Sequence, residues 1–327
     1  MDVLILIPLY NDWASAAALL PVLDESLHRA RLTGEVAFID DGSATPPPEG
    51  FGAGPFRALE ACTIVALRMN LGHQRALAVG LAWAEANRNT PFIAVMDGDG
   101  EDAPDDLVRL LEAAKSGPQP TMVFAGRAKR SEGRTFRVGY KLYRTIFRTL
   151  VGMNVNFGNF SVLPRRDLVR LVASAELWNH SAAAVVRSRI PFQVLPSIRG
   201  TRLDGQSKMN LLSLVQHGLS AVAVFSDRVG VRLLTVTALL AATAAGALGL
   251  VIWIRLVTNL AIQGWATNAA GLLVLALLLL TGLFFGFSLM ILKGRENGGF
   301  LPLRDYSYYI AEERTLLRQL ALAAQGA

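Results

Sequence analysis

The sequence predicts an α/β fold, a mostly parallel sheet covered by helices, followed by two transmembrane helices. Three observations carry this prediction. Short apolar runs rich in branched residues alternate with helix-like stretches over the first ~230 residues. Polar clusters stand immediately after four of those runs. Further on, Leu233–Ile254 and Ala269–Leu292 contain no charged residue at all.

Taken in order, Val3–Ile7 is the first strand and Ala14–Arg31 the helix after it. Val36–Asp40 is the second strand, and a Pro- and Gly-rich loop, Ala44–Pro55, leads to a third at Thr63–Leu67. His73–Asn89 reads as a helix, Phe92–Met96 as the fourth strand and Asp105–Ser116 as a helix introduced by Pro104. Met122–Ala125 is the fifth strand. As helices, the two uncharged runs of 22 and 24 residues would be about 33 and 36 Å long, enough to cross a hydrocarbon core of ~30 Å. The domain limits expected are a globular unit over 1–228, a two-helix anchor over 229–294 and a tail over 295–327.

Open α/β sheets bind ligands at the carboxyl ends of their strands. Pro8, Tyr10 and Asn11 follow the first strand; Asp40, Asp41, Gly42 and Ser43 end the second. Asn70, Gly72 and His73 follow the third, and Asp97, Asp99, Glu101 and Asp102 the fourth. Such a set is what a nucleotide cleft requires. Neither G-x-G-x-x-G after the first strand nor G-x-x-x-x-G-K-[ST] is present. A diphosphate would therefore be neutralised by a metal and basic side chains, which points away from dehydrogenases and P-loop enzymes.

Carboxylates crowded like those of 97–102 repel one another, and their hard oxygens suit Mg²⁺ or Mn²⁺. A calcium loop fails on spacing, because counting from Asp97 the sixth position is Asp102 rather than Gly and the twelfth is Val108 rather than Glu. A solvated acidic turn is the remaining alternative.

The net charge is +6 with a pI near 9.8. Much of the basic excess lies between Arg127 and Arg148, including Arg137. Beside two spans, anionic headgroups or a lipid phosphate are nearer partners than nucleic acid. Tyr140, Tyr143, Ile146, Phe147 and Leu150 recur there at helical spacing, the pattern of an interfacial helix or, alternatively, of a buried core helix. Leu211–Phe225 is a second candidate of the same kind. Cys62, the single cysteine, reads as a core residue and excludes an internal disulfide. The N-terminus has no basic n-region, so the first domain is expected in the cytoplasm.

With these residues assembled, the chain resembles family 2 glycosyltransferases of the GT-A fold. Within them it is most similar to membrane-anchored polyprenyl-phosphate (dolichyl-phosphate-type) sugar synthases. The resemblance rests on Ile7-Pro8-Leu9-Tyr10-Asn11-Asp12, Phe38-Ile39-Asp40-Asp41-Gly42-Ser43 and Arg68-Met69-Asn70-Leu71-Gly72-His73-Gln74. It continues through Met96-Asp97-Gly98-Asp99-Gly100-Glu101-Asp102-Ala103-Pro104, Gly126-Arg127 and Arg202-Leu203-Asp204-Gly205-Gln206-Ser207-Lys208.

The resemblance implies a GT-A nucleotide-sugar-binding domain followed by two transmembrane helices. It implies transfer of one sugar from a nucleotide-diphosphate sugar, a UDP-sugar being favoured, to a polyprenyl monophosphate, with inversion. Pro8, Tyr10, Asn11, Asp40, Asp41, Asn70, His73 and Asp97 would bind the donor. Asp97, Asp99 and Glu101 would hold Mg²⁺ or Mn²⁺, and Asp99, Arg202 and Lys208 would be catalytic. Arg127, Arg137 and Ser207 would receive the acceptor phosphate. Glu101 stands where the family usually has Gln, and Ala103 where it often has Pro. The implied setting is the bacterial inner membrane, with the catalytic domain and both termini cytoplasmic, membrane lipids as partners and a homo-oligomer left open. The rivals are a processive polysaccharide synthase and a non-catalytic membrane nucleotide-sugar-binding protein. The first is disfavoured because no Trp follows an Arg and two spans are too few for a polymer channel.

Overall fold

Alternating apolar side chains along the strands are buried on both faces, so the sheet forms the middle of three layers. In the computed structural model, Val3, Ile5 and Ile7 of β1 (Val3–Leu9) face one core and Leu4 and Leu6 the other. The structure describes residues 1–127, 157–197, 200, 223–258, 264–296 and 300–318, with 149, 220 and 262. By contacts the chain divides into two compact units. One is Met1–Arg137 with Val155–Val224 and Gly299–Ala327; the other is Val138–Asn154 with Phe225–Gly298.

In the first unit, β1 is followed by α1 (Trp13–Arg29), β2 (Gly34–Asp40), β3 (Leu59–Leu67), α2 (His73–Asn87), β4 (Phe92–Val95), α3 (Pro104–Lys115) and β5 (Met122–Arg127). Then come β6 (Phe157–Pro164), α4 (Arg165–Val172), α5 (Ser181–Arg187), β7 (Phe192–Ser197) and, after the long helices, β8 (Ile310–Arg318). The sheet order is β7-β5-β6-β4-β1-β2-β3-β8. β3, β2, β1 and β4 are mutually parallel, while β6 and β8 run antiparallel to their neighbours. The mostly parallel sheet expected from the sequence is thus present, with antiparallel additions.

Leu19, Leu23 and Leu27 of α1 and Leu107, Leu110 and Leu111 of α3 cover one face. Leu77, Leu81 and Trp83 of α2 and Leu168 and Leu171 of α4 cover the other. Each fully buried side chain of this size contributes roughly 1.5–3 kcal/mol relative to exposure. Cys62 is buried in the first core, and burial, reinforced by Glu35, pushes its thiol up to about 12. It is a packing residue.

The segment expected as a separate tail contains β8. Ile310 pairs with Leu67 and Glu313 with Val65, so the sheet is completed from beyond the second apolar helix. Ala311-Glu312-Glu313-Arg314 has helix-forming composition, and pairing to the exposed edge of β3 overrides it.

In the second unit, α6 (Ser226–Val257) and α7 (Trp265–Glu296) are long and apolar enough to cross a membrane. They pack antiparallel: a Cβ on Gly230, near the start of α6, would lie 2.7 Å from Ile291 near the end of α7. Their outward residues are strongly exposed, with Leu256 at 78% and Leu272 at 70%. Unburied apolar surface on this scale marks an interaction surface, a membrane among the candidates. The two interfacial helices expected around 140–150 and 211–225 lie almost entirely outside the described residues.

Candidate functional site

Four parallel strands deliver their polar clusters to one end of the sheet, and hydrogen bonds then stitch the loops together. Pro8 is buried near the end of β1, Tyr10 is 49% exposed, and Asn11 adopts φ 49°, a left-handed conformation that Asn tolerates better than most residues. Asn11 N–H donates to Ser43 Oγ (2.8 Å), and Asn11 Oδ1 accepts from Ala44 N–H (2.8 Å). Asp40 Oδ1 accepts from Ser43 N–H at 2.9 Å. The loop after β1 and the loop after β2 therefore form one surface.

Asp41 joins that surface to the loop after β3. Its two carboxylate oxygens accept from Leu71 N–H (2.7 Å) and Gly72 N–H (2.8 Å). Burial raises the Asp41 carboxyl above its ordinary value, against those two hydrogen bonds and the neighbouring His73, which lower it. Gly42, at φ 70°, lies where a Cβ would stand 2.9 Å from the backbone of Met69 and Asn70. Asn70 is exposed beside it, and His73 opens α2.

The acidic loop follows β4. Asp97 N–H donates to Asp102 Oδ2 (2.8 Å), and Glu101 N–H to Asp99 Oδ1 (2.9 Å), so the carboxylates fold back on their own backbone. Asp97 Oδ1 lies 3.7 Å from His73 Nε2, which brings the third and fourth strand ends together. Among the described residues, no group of three or more His, Cys, Asp and Glu side chains forms a complete metal cage. The donor set still fits a hard cation that takes one or two carboxylates from protein and its other ligands from diphosphate and water.

Gly200 reaches the same loop from far along the chain. Its N–H donates to Glu101 O at 2.8 Å, and a Cβ there would lie 2.6 Å from Gly100 O. Arg127 ends β5. Arg137, Arg202, Ser207 and Lys208 lie outside the described residues.

Two residues at this end were missed by sequence reasoning. Asn159 Nδ2 lies 2.9 Å from His73 Nε2, and Asn159 Oδ1 accepts from Ser181 Oγ at 2.7 Å. Because β6 runs antiparallel to β4, its polar residue sits at the start of the strand. The rule of looking after each strand therefore passes over it. The Phe-Gly-Asn-Phe interruption of an apolar run was the available signal.

Residues 4–168, half of the chain, match the model of glycosyl transferase family 2. The uncharacterized glycosyltransferase YkcC of Bacillus subtilis (strain 168) is 24% identical over 302 residues, covering 88% of this chain and 85% of its own. An undecaprenyl-phosphate 4-deoxy-4-formamido-L-arabinose transferase of Pseudomonas paraeruginosa is 29% identical over 113 residues, 35% of this chain and 32% of its own. Among solved structures, glucosyl-3-phosphoglycerate synthase from Mycobacterium tuberculosis, in complex with Mn²⁺, UDP and phosphoglyceric acid, matches with TM-score 0.49 and 16% identity. That match covers 70% of this chain and 78% of the other. With its strand-end loops, its acidic turn and a family match over half its length, the chain belongs to glycosyl transferase family 2 and is a glycosyltransferase of the GT-A fold.

Proposed function

We propose that the protein transfers a single sugar from a nucleotide-diphosphate sugar to a polyprenyl monophosphate at the cytoplasmic membrane face, with inversion and with Mg²⁺ or Mn²⁺. The observation that carries this reading is the Gly200–Glu101 hydrogen bond, which brings the chain to the acidic loop just before the basic residues of 201–208. Covalent reach alone keeps the Cα of Arg202 within about 8 Å of that of Gly200. Acids suited to a cation and Arg202, a base suited to a phosphate, would then lie within reach of one another.

Pro8, Tyr10, Asn11, Asp40, Asp41, Asn70 and His73 bind the donor in this reading, with a UDP-sugar favoured. One or two of the acidic-loop carboxylates Asp97, Asp99 and Glu101 would hold the divalent ion. When bound, it would supply positive charge to the leaving nucleoside diphosphate. The sugar–diphosphate bond breaks through an oxocarbenium-like transition state, and Arg202 and Lys208 stabilise the negative charge that gathers on the leaving group. A phosphate monoester with second pKa near ~6 is already ionised at neutral pH and needs orientation rather than a general base. Arg127, Arg137 and Ser207 provide that orientation. Because Glu101 adds a charge where the family usually has Gln, Glu101→Gln should stay active, with a changed preference between Mg²⁺ and Mn²⁺ as the readout; loss of activity would show that this chain requires the carboxylate.

A lipid acceptor is supported by α6 and α7, which hold the enzyme beside the headgroup plane and raise the effective concentration of a membrane substrate. The Pseudomonas relative is named for transfer to undecaprenyl phosphate. One argument favours cytoplasmic placement of the termini, and a second puts both on the same side. Arg228 and Arg232 precede the uncharged run of the first span, and Lys293, Arg295 and Arg304 follow that of the second, whereas the connector 255–268 carries only Arg255. An antiparallel pair also returns the chain to the side it left, and both flanks, β7 and β8, belong to one sheet. A cysteine introduced in the connector should react with an impermeant reagent from outside; reaction of one placed in 320–327 instead would reverse the topology. Cys62, buried and with its thiol raised, gives little background.

The direct test is to incubate membranes containing the protein with labelled nucleotide sugars and a polyprenyl phosphate. A labelled lipid is expected; label found only in polymer would favour a processive synthase.

A further inference from the structure

The segment that follows the second apolar helix does more than complete the sheet. Arg68, the residue just before the Met69–Gly72 loop, is gripped by it twice. Arg68 N–H donates to Tyr309 O (2.9 Å), and Arg68 Nε donates to Tyr308 O (3.0 Å). The loop that Arg68 introduces is the one that gives Leu71 and Gly72 N–H to Asp41 and lies against Gly42.

A second contact reaches the same region through aromatic rings. Phe300 stacks on Trp178 with centroids 3.7 Å apart, and Tyr309 lies 5.2 Å from Trp178 and 5.3 Å from Phe300. Arg75, in the first turn of α2 and two residues from His73, sits over the Trp178 ring at 5.2 Å. The far end of the segment is pinned at the other end of α2. Trp83 Nε1 donates to Glu313 Oε2 (2.9 Å), and Arg88 bridges Glu313 (3.1 Å) and the buried Glu35 (2.8 Å). Burial alone would lower the Arg88 guanidinium, yet hydrogen bonds and charge from Glu35 and Glu313 hold it above its ordinary value. The segment thus runs the length of α2 and is fastened at both ends.

We propose that residues 300–318 are a positioning element of the nucleotide-donor cleft: through Arg68 and through Trp178–Arg75 they set the conformation of the 68–73 loop, and so the affinity for the donor. Phe300, Trp178 and Arg68 are its positioning residues. They act through the loop and lie outside the 4–168 family match except for Arg68. The inference rests on the reading of that loop as part of the donor cleft. Its physical basis is preorganisation, since a loop held in its bound shape loses less entropy when the nucleotide arrives. The segment joins α7 to the sheet, so the membrane anchor is continuous in sequence with the strand that shapes the cleft.

The test uses the full-length protein and nucleotide binding, independent of any acceptor. UDP, with GDP as a second probe, is titrated in Mn²⁺ against wild type, Phe300→Ala, Arg68→Met, Arg68→Gln and the Phe300→Ala/Arg68→Met double variant. Each of the two disruptive single variants should weaken nucleotide binding about two- to tenfold, the range expected for loss of one hydrogen bond or its equivalent. Arg68→Gln, whose amide N–H stands where Nε stands, should recover most of it. The double variant should fall short of the product of the singles, because both loosen one device. Hydrogen exchange in peptides covering 68–73 should quicken in Phe300→Ala, although Phe300 is remote in sequence. If wild type binds neither nucleotide, the donor-cleft reading itself fails. If wild type binds while Phe300→Ala and Arg68→Met bind equally well and exchange at 68–73 is unchanged, the positioning role is overturned. Should Phe300→Ala fail to fold, exposed Arg68 carries the test alone through the Met and Gln pair.

Discussion

Asp99→Asn is expected to lower sugar transfer about 10²- to 10³-fold, the scale on which a single group that stabilises developing charge acts, without unfolding the protein. Asn keeps a side-chain oxygen for the Glu101 N–H that Asp99 Oδ1 now accepts, so the turn retains its shape. On the proposed reading, what disappears is a negative ligand for the divalent ion. EDTA should inhibit the wild type to a similar depth, and Mg²⁺ or Mn²⁺ should restore it. Unaltered thermal unfolding would separate this loss from misfolding. Full turnover of Asp99→Asn in the presence of chelator would remove metal assistance from the account.

Gly42→Ala should be nearly as damaging by a different route. At φ 70° a Cβ is strained, and the atoms it would meet at 2.9 Å are the backbone of Met69 and Asn70, which no rotamer change can move aside. The left-handed conformation alone costs about 1–2 kcal/mol, and relief of the clash must push the loop after β3 away from that after β2. That shift pulls Leu71 and Gly72 N–H from the buried Asp41, leaving a carboxylate without its two charge-assisted hydrogen bonds. The expected result is a large rise in donor KM, with a fall in the unfolding midpoint. Near-normal donor binding by Gly42→Ala would mean that this contact between loops does not shape the cleft.

The placement of the candidate site residues at strand ends was legible in the sequence because parallel strands put their polar residues where a reader looks for them. Asp40 and Asp41 after one apolar run, and Asp97–Asp102 after another, announce both the strand ends and the chemistry. The tie between Asp41 and the amides of Leu71 and Gly72 was not legible, since nothing local fixes a contact across thirty residues. Asn159 escaped because its strand is antiparallel. The Ile310–Arg318 strand escaped because Ala, Glu, Arg and Leu favour a helix in isolation, and only the open edge of β3 and the Glu313–Arg88–Trp83 contacts make it a strand. Hydropathy, by contrast, located both long helices to within a few turns, because a run free of charge for more than twenty residues leaves little other choice.

The central claim is tested most directly by giving purified enzyme one labelled nucleotide sugar and two acceptors, a polyprenyl monophosphate and the corresponding polyprenyl alcohol, and weighing the products by mass spectrometry. The account predicts a single product carrying one sugar on the phosphate, with inverted anomeric configuration, and little or no reaction of the alcohol. Equal use of the alcohol, or a ladder of lipids bearing several sugars, would contradict it.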